Sequence, residues 1–185
     1  MPSLKQLKKV MQKQKISPEI MAQMDLDANQ SSSNPYPLIA AIDKMDELLT
    51  KEQRLSIMEQ LGCCKTDKVT APFKEFGRKY ADKTIDDKIK LFDELNTPHR
   101  PPCHLNPDGT LSVYWDGQCV CSVIQKLPPP VCVSSTYCGC CGGHVRHTLQ
   151  HALGVKLRLK DIVSTAISSH GKNHCEFVFE VIDLS

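Results

Sequence analysis

Hydrophobic positions recur every three to four residues through the first half of this chain and every second residue in parts of the last third. The pattern therefore predicts helices first and strands later. Leu4, Leu7, Val10 and Met11 form a narrow apolar stripe on a basic helix, whose first fifteen residues carry five lysines and no acid. The stripe reads as a packing face; contact with a membrane or an acidic partner is the alternative for such a helix. Ser17-Pro18 pairs an N-cap with proline at the first helical position, predicting a helix to about Ala28. The run NQSSSNPYP at 29–37 is polar and turn-rich and reads as a linker.

Ile39, Ile42, Met45 and Leu49 then line one face of a helix over Leu38 to Leu49. Thr50 and Gln53 make a capping box for a helix carrying Leu55, Ile57, Met58 and Leu61, with Gly62 as its C-cap. Thr70 is expected to cap the next helix (Phe73, Phe76 and Tyr80 on one face) and Thr84 the one after it (Ile85, Ile89, Phe92, Leu95). Asn96, Pro98, Pro101 and Pro102 end this pattern.

Asp108-Gly109 precedes LSVYW and Asp116-Gly117 precedes QCVCSVI. Asp-Gly between alternating runs signals a hairpin, because a type I′ turn needs positive φ at both positions. Residues 142–153 read as a helix closed by Gly154, 155–159 as a strand, Asp161 to Ser168 as a short helix, and Cys175 to Ile182 as a last strand. The expected fold is α+β, with N-terminal helices packed on a C-terminal antiparallel sheet that has flanking helices. Three regions follow: a basic helical arm and linker at 1–37, a helical region at 38–97, and a cysteine-rich α+β domain at 98–185.

The chain has 185 residues, 23 basic and 21 acidic, for a net charge of +2. That balance gives no argument for a nucleic-acid partner. No apolar run approaches the ~18 residues of a membrane span. The N-terminus lacks the apolar core and cleavage site of an export signal, so the expected location is the cytoplasm. Ten cysteines then change the picture. A reducing compartment argues against a disulfide framework, and cysteines used this heavily inside a cell more often hold metal or do redox chemistry.

Residues 1–62 contain no cysteine, whereas seven fall between Cys103 and Cys141. On a strand, Cys119 and Cys121 would point to one side about 7 Å apart, as two ligands of a tetrahedral metal or as two small packed residues. Cys138, Cys140 and Cys141 stand in the run CGCCGG at the start of a helix. A helix N-terminus favours thiolate, and glycines let backbone turn tightly around a bound atom. Cys175 opens the final strand and could complete the set. Cys63 and Cys64 follow a helix C-terminus, where the dipole disfavours thiolate. Cys103 and Cys132 lie beside prolines. His144, His147 and His151 share a helical face, read as a solvent-facing stripe first and as metal ligands second.

The order of these features over residues 108–183 is C-x-C, a second C-x-C at a glycine-rich helix start, a strand, and Gly171-x-x-x-Cys175-x-Phe177. It resembles an uncharacterised cysteine-rich prokaryotic family related to the 4-vinyl reductase domain. The resemblance implies a compact antiparallel sheet flanked by helices, an apolar cavity for a small organic ligand, and frequent homodimers. Sensor members of that group hold zinc. By that likeness Cys141 and Cys175 match the first and last ligands, while Ser164 and Ile167 stand where the family has Glu and Cys. A weaker likeness links the cysteine pattern to hydrolases of aminothiazoline carboxylates.

The expected function is a metal- or small-molecule-binding module, structural or sensory, with Cys119, Cys121, Cys138, Cys140, Cys141 and Cys175 as metal candidates. Zinc is the first cofactor and an iron–sulfur cluster the second, since both use four thiolates. The alternatives are a thiol enzyme, with Cys138 or Cys140 as nucleophile and His144 or His147 as base, and a thiol redox switch.

Overall fold

The computed structural model describes residues 2–28, 34–62, 65–92, 94–97, 100–115, 119, 121, 124, 127, 133–169 and 173–183. Cys63, Cys64, Cys132, the Asp116-Gly117 turn and Gly171 lie outside them. Helices α1 (Leu4–Lys13), α2 (Pro18–Ala22), α3 (Tyr36–Leu48), α4 (Lys51–Gln60), α5 (Asp67–Lys79) and α6 (Ile85–Phe92) come first. Strands β1 (Cys103–Leu105) and β2 (Thr110–Trp115) follow, then helix α7 (Gly139–Leu153) and strands β3 (Lys156–Ser164) and β4 (Cys175–Asp183). The fold is α+β with one antiparallel sheet in the order β1-β2-β4-β3.

Local chemistry accounts for most helix starts. Ser17 and Thr50 accept from the backbone N–H groups of Ile20 and Gln53, and Thr84 accepts from Asp87. Each cap supplies an acceptor to an N–H with no partner inside the helix. Ser3 and Gln6 form a further capping box at α1, whose Leu4, Leu7 and Met11 are buried. Thr70 does not cap α5. That helix begins at Asp67, and Thr70 is buried within it, its hydroxyl donating to the Thr66 carbonyl. Helix α2 stops at Ala22, short of the expected Ala28.

Two strand expectations change. Asp108-Gly109 does turn a hairpin, with Gly109 at φ +79°, but the strand it joins to β2 is β1. β1 and β4 occupy both edges of β2, and most of the alternating run after Trp115 lies outside the described residues. Cys119 and Cys121, which are described, are not in a strand. Asp161 to Ser164 belong to β3 instead of a helix, held by pairing with Glu176, Phe177 and Val178 across two bulges. The β-branched Ile162 and Val163 suit that pairing.

Two hydrophobic clusters result. One joins α1, α3 and α4 to Val133, Tyr137 and Cys140. The other lies between the sheet and α5, α6 and α7, around Phe73, Phe92, Phe177 and Phe179. Cys141 and Ile167 pack against both. Helix α7 therefore sits on the seam. Its C-terminus is closed by Gly154 at φ +73° and by buried Lys88, whose Nζ donates to the Leu153 carbonyl at 2.9 Å. A cation there meets the negative end of the helix.

Candidate functional site

The glycines of CGCCGG serve packing. Gly139, Gly142 and Gly143 are helical and buried. A Cβ on Gly143 would stand 2.0 Å from the Glu59 carbonyl oxygen, and one on Gly139 would stand 2.6 Å from Met58 Cβ. A Cβ on Gly142 would press on Leu159 at 2.9 Å. Gly62 is likewise no left-handed cap: its missing side chain admits the Gly143 carbonyl carbon, 2.6 Å from where a Cβ would be. The expectation that these glycines wrap a bound atom gives way to close approach of α4 to α7.

That approach also fixes Glu59, which is buried. Its carboxylate accepts from Arg146 at 2.6 Å and from the Leu159 backbone N–H at 2.8 Å, tying α4 to α7 and β3. Burial raises its pKa against these two partners, which lower it.

Around this junction the structure brings cysteines from three segments together. Cys138 closes a 3-10 turn (Ser135–Cys138) and is buried against the sheet-side cluster. Cys140 is buried in the helical cluster, and Cys141 is half-buried between the two. Cys119 and Cys121 pack on the helical side and Cys175 on the sheet side, all half-buried. Cys103 lies apart in sequence order, on edge strand β1 opposite Val113.

Burial sets the ionisation of these thiols, and neighbouring sulfurs add to it. Burial pushes Cys119 up to about 11, and charge on Cys121, Cys141 or Cys175 would push it further. Cys138 is raised well above 9.0, by burial first and then by Cys141, Cys175, Cys119 and Cys121. Cys175 is raised by burial and by Cys141. The helix N-terminus does not make Cys138 a thiolate, because loss of solvation outweighs the dipole. Two backbone amides act in the other direction: Cys121 N–H donates to Cys119 Sγ at 3.4 Å and Ala166 N–H to Cys175 Sγ at 3.3 Å. Tyr137 lies under the same group. Its buried hydroxyl interacts with the Cys121 side chain, and its pKa is raised by burial first and then by Cys121, Cys140 and Cys141. Periodicity alone did not single out Tyr137; only its place one residue before Cys138 could have.

Among the described residues, no group of three or more His, Cys, Asp or Glu stands ready to hold a metal ion. The histidine face also differs from a solvent stripe. His144 is buried, and His147 and His151 are partly covered, their rings edge to face at 4.8 Å. The reason is α5, which approaches so closely that a Cβ on Gly77 would stand 2.1 Å from the His151 carbonyl oxygen. Burial first, then His151 and Lys65, depress His147 to about 4.

Among the described residues, no helix is long and apolar enough to cross a membrane. No family model and no curated protein matches the chain. Among solved structures, an H-NOX protein from S. oneidensis in its Fe(II)NO ligation state aligns over 96% of this chain and 98% of its own, at 10% identity and a TM-score of 0.35. A triple-alanine variant of an S. oneidensis H-NOX protein, in the Fe(II) state, aligns over 97% and 96%, at 10% identity and a TM-score of 0.36. At those TM-scores nothing passes from either protein to this chain.

Proposed function

We propose that this chain is a thiolate metal-binding module, with Cys119, Cys121, Cys141 and Cys175 as the ligand set and Cys138 and Cys140 packed beneath. The observation that carries this reading is the convergence of half-buried Cys119, Cys121, Cys141 and Cys175, from three segments, on the seam between the two hydrophobic clusters at the start of α7. Cys119, Cys138 and Cys175 are held neutral by burial first and by neighbouring sulfurs second. A divalent cation reverses that balance, since a coordinating thiol is deprotonated outright. The amide bonds to Cys119 and Cys175 favour the same charged form. Zinc suits the site best, because it imposes no geometry of its own and takes four thiolates tetrahedrally; an iron–sulfur cluster needs the same four sulfurs and is the second choice. Binding would draw the sulfurs inward from their metal-free positions, so metal and fold stability are coupled.

The likeness to the 4-vinyl reductase domain belongs to the same proposal, with Cys141 in the first turn of α7 and Cys175 at the start of β4 as its matching ligands. A small organic ligand, a homodimer and a cytoplasmic location belong to the same proposal. The raised pKa of Cys138 works against the nucleophile of the enzyme alternative, which needs thiolate near neutral pH.

The test is anaerobic titration of the reduced protein with Co²⁺ and then Zn²⁺. One equivalent should bind with thiolate-to-cobalt charge-transfer absorption, release protons and raise the melting temperature. Cys175→Ser and Cys119→Ser should lose the signal, and Cys103→Ser should keep it. Absence of tight metal binding, or unchanged binding by Cys175→Ser, overturns the reading; oxidation to disulfides in its place would favour the redox switch.

A further inference from the structure

Far along α7 from the thiols, an open surface groove runs along α5 beside α7, lined by Ala71, Lys74, Gly77, Arg78, Ala81 and His151. Every ionisable group on its wall is a base. The small residues keep α5 close to α7, so the floor is backbone and the rim is cationic. Among the described residues, exposed Arg78 makes no hydrogen bond or ion pair. Lys74 reaches only Asp67 at 3.3 Å, and that carboxylate is 99% exposed, so the pair contributes little.

We infer that this groove binds a phosphate or pyrophosphate group carried by a small organic molecule. A guanidinium offers a planar fork that matches phosphate oxygens in pairs, and Lys74 adds a point charge beside it. The surroundings of the two imidazoles agree. His151 is disfavoured as a cation by burial and by Lys74, and His147 by burial, His151, Lys65, His144 and Lys74. From α6, Lys88 is turned away to the Leu153 carbonyl. Like charges gathered on one wall make room for an anion. An anion seated among them stabilises the imidazolium forms, so it binds with proton uptake and binds more tightly as pH falls.

The test uses the full chain and inorganic pyrophosphate, with chloride at matched ionic strength as control, read by NMR of the His147 and His151 ring protons. Saturable shifts are expected, with higher pKa values for both rings when pyrophosphate is bound. Affinity should be higher at about pH 6 than at about pH 8, where unperturbed imidazole is neutral. Arg78→Gln should weaken binding about tenfold, the loss expected for one charge-assisted contact. Arg158→Gln, on the exposed sheet face, should not. Shifts reproduced by chloride, equal affinity in Arg78→Gln, or a response to an RNA oligonucleotide but not to pyrophosphate would each overturn the inference. Metal titration of the thiols is read separately and does not bear on it.

Discussion

The two ends of α7 solve the same problem with opposite signs. At its start, thiols that would carry negative charge are crowded until they stay protonated. Toward its end, imidazoles that would carry positive charge are crowded until they stay deprotonated. At each end the neighbouring charges that weigh most carry the same sign as the group they shift. Between them stands Arg146, neutralised by buried Glu59. The contrast teaches that burial alone does not decide which buried group is settled and which is poised. Glu59 has both a cation and an amide N–H, whereas Cys119 and Cys175 have an amide N–H each and neighbours of their own sign. One end is suited to a cation and the other to an anion.

Glu59→Ala should produce the largest effect, because it strands the Arg146 guanidinium and the Leu159 N–H together. Removing one partner of a buried pair costs about 3–5 kcal/mol, and Arg146 retains enough exposure to place this case near the lower figure. Urea denaturation measures it; a loss below about 1 kcal/mol, the size of an exposed pair, would mean the middle of α7 is no anchor.

Gly143→Ala and Gly77→Ala come next. An exposed helical glycine gains up to about 1 kcal/mol on becoming alanine. Here the new methyl group meets a carbonyl oxygen at 2.0 Å or 2.1 Å, so the sign reverses. We expect a loss of about 1–3 kcal/mol for each. Stabilisation of either variant would show that α4 or α5 can retreat from α7, and the crowding at that end would lose its cause.

These positions also mark what the sequence could and could not reveal. Ser17, Thr50 and Thr84 announce helix starts because a cap is a contact within three residues. The Asp108-Gly109 turn is legible for the same reason, although its partner strand β1 is not, being three residues long beside prolines. Asp161 to Ser164 reads as helix until β4, more than ten residues later, supplies its pairing. The glycines of α7 advertise small size but not its purpose, which belongs to α4. The histidine stripe looks solvated until α5 covers it. The cysteine pattern marks a region of chemistry, yet the order in which burial, dipole and neighbouring sulfur shift each thiol depends on contacts no spacing encodes.

The smallest effect separates the two ends most directly. His147 titrates at about 4 in the fold against 6.5 when unperturbed. Below pH 6.5 the unfolded chain takes up a proton that the folded chain refuses, so stability should decline as pH falls from 6.5 through about 4. Cys119 gives the mirror image. Its thiol ionises at about 11 in the fold against 9.0 when unperturbed, so the unfolded chain loses its proton first and stability should decline as pH rises from 9.0 through about 11. Denaturation midpoints of the reduced, metal-free protein across this range should therefore fall at both extremes. His147→Gln should flatten only the acid limb and Cys119→Ser only the alkaline one. Zn²⁺ should reverse the alkaline slope by fixing thiolate in the fold, and pyrophosphate should reverse the acid slope by fixing imidazolium. If one substitution flattened both limbs, the two ends would be a single coupled unit, and the opposition between them would fail.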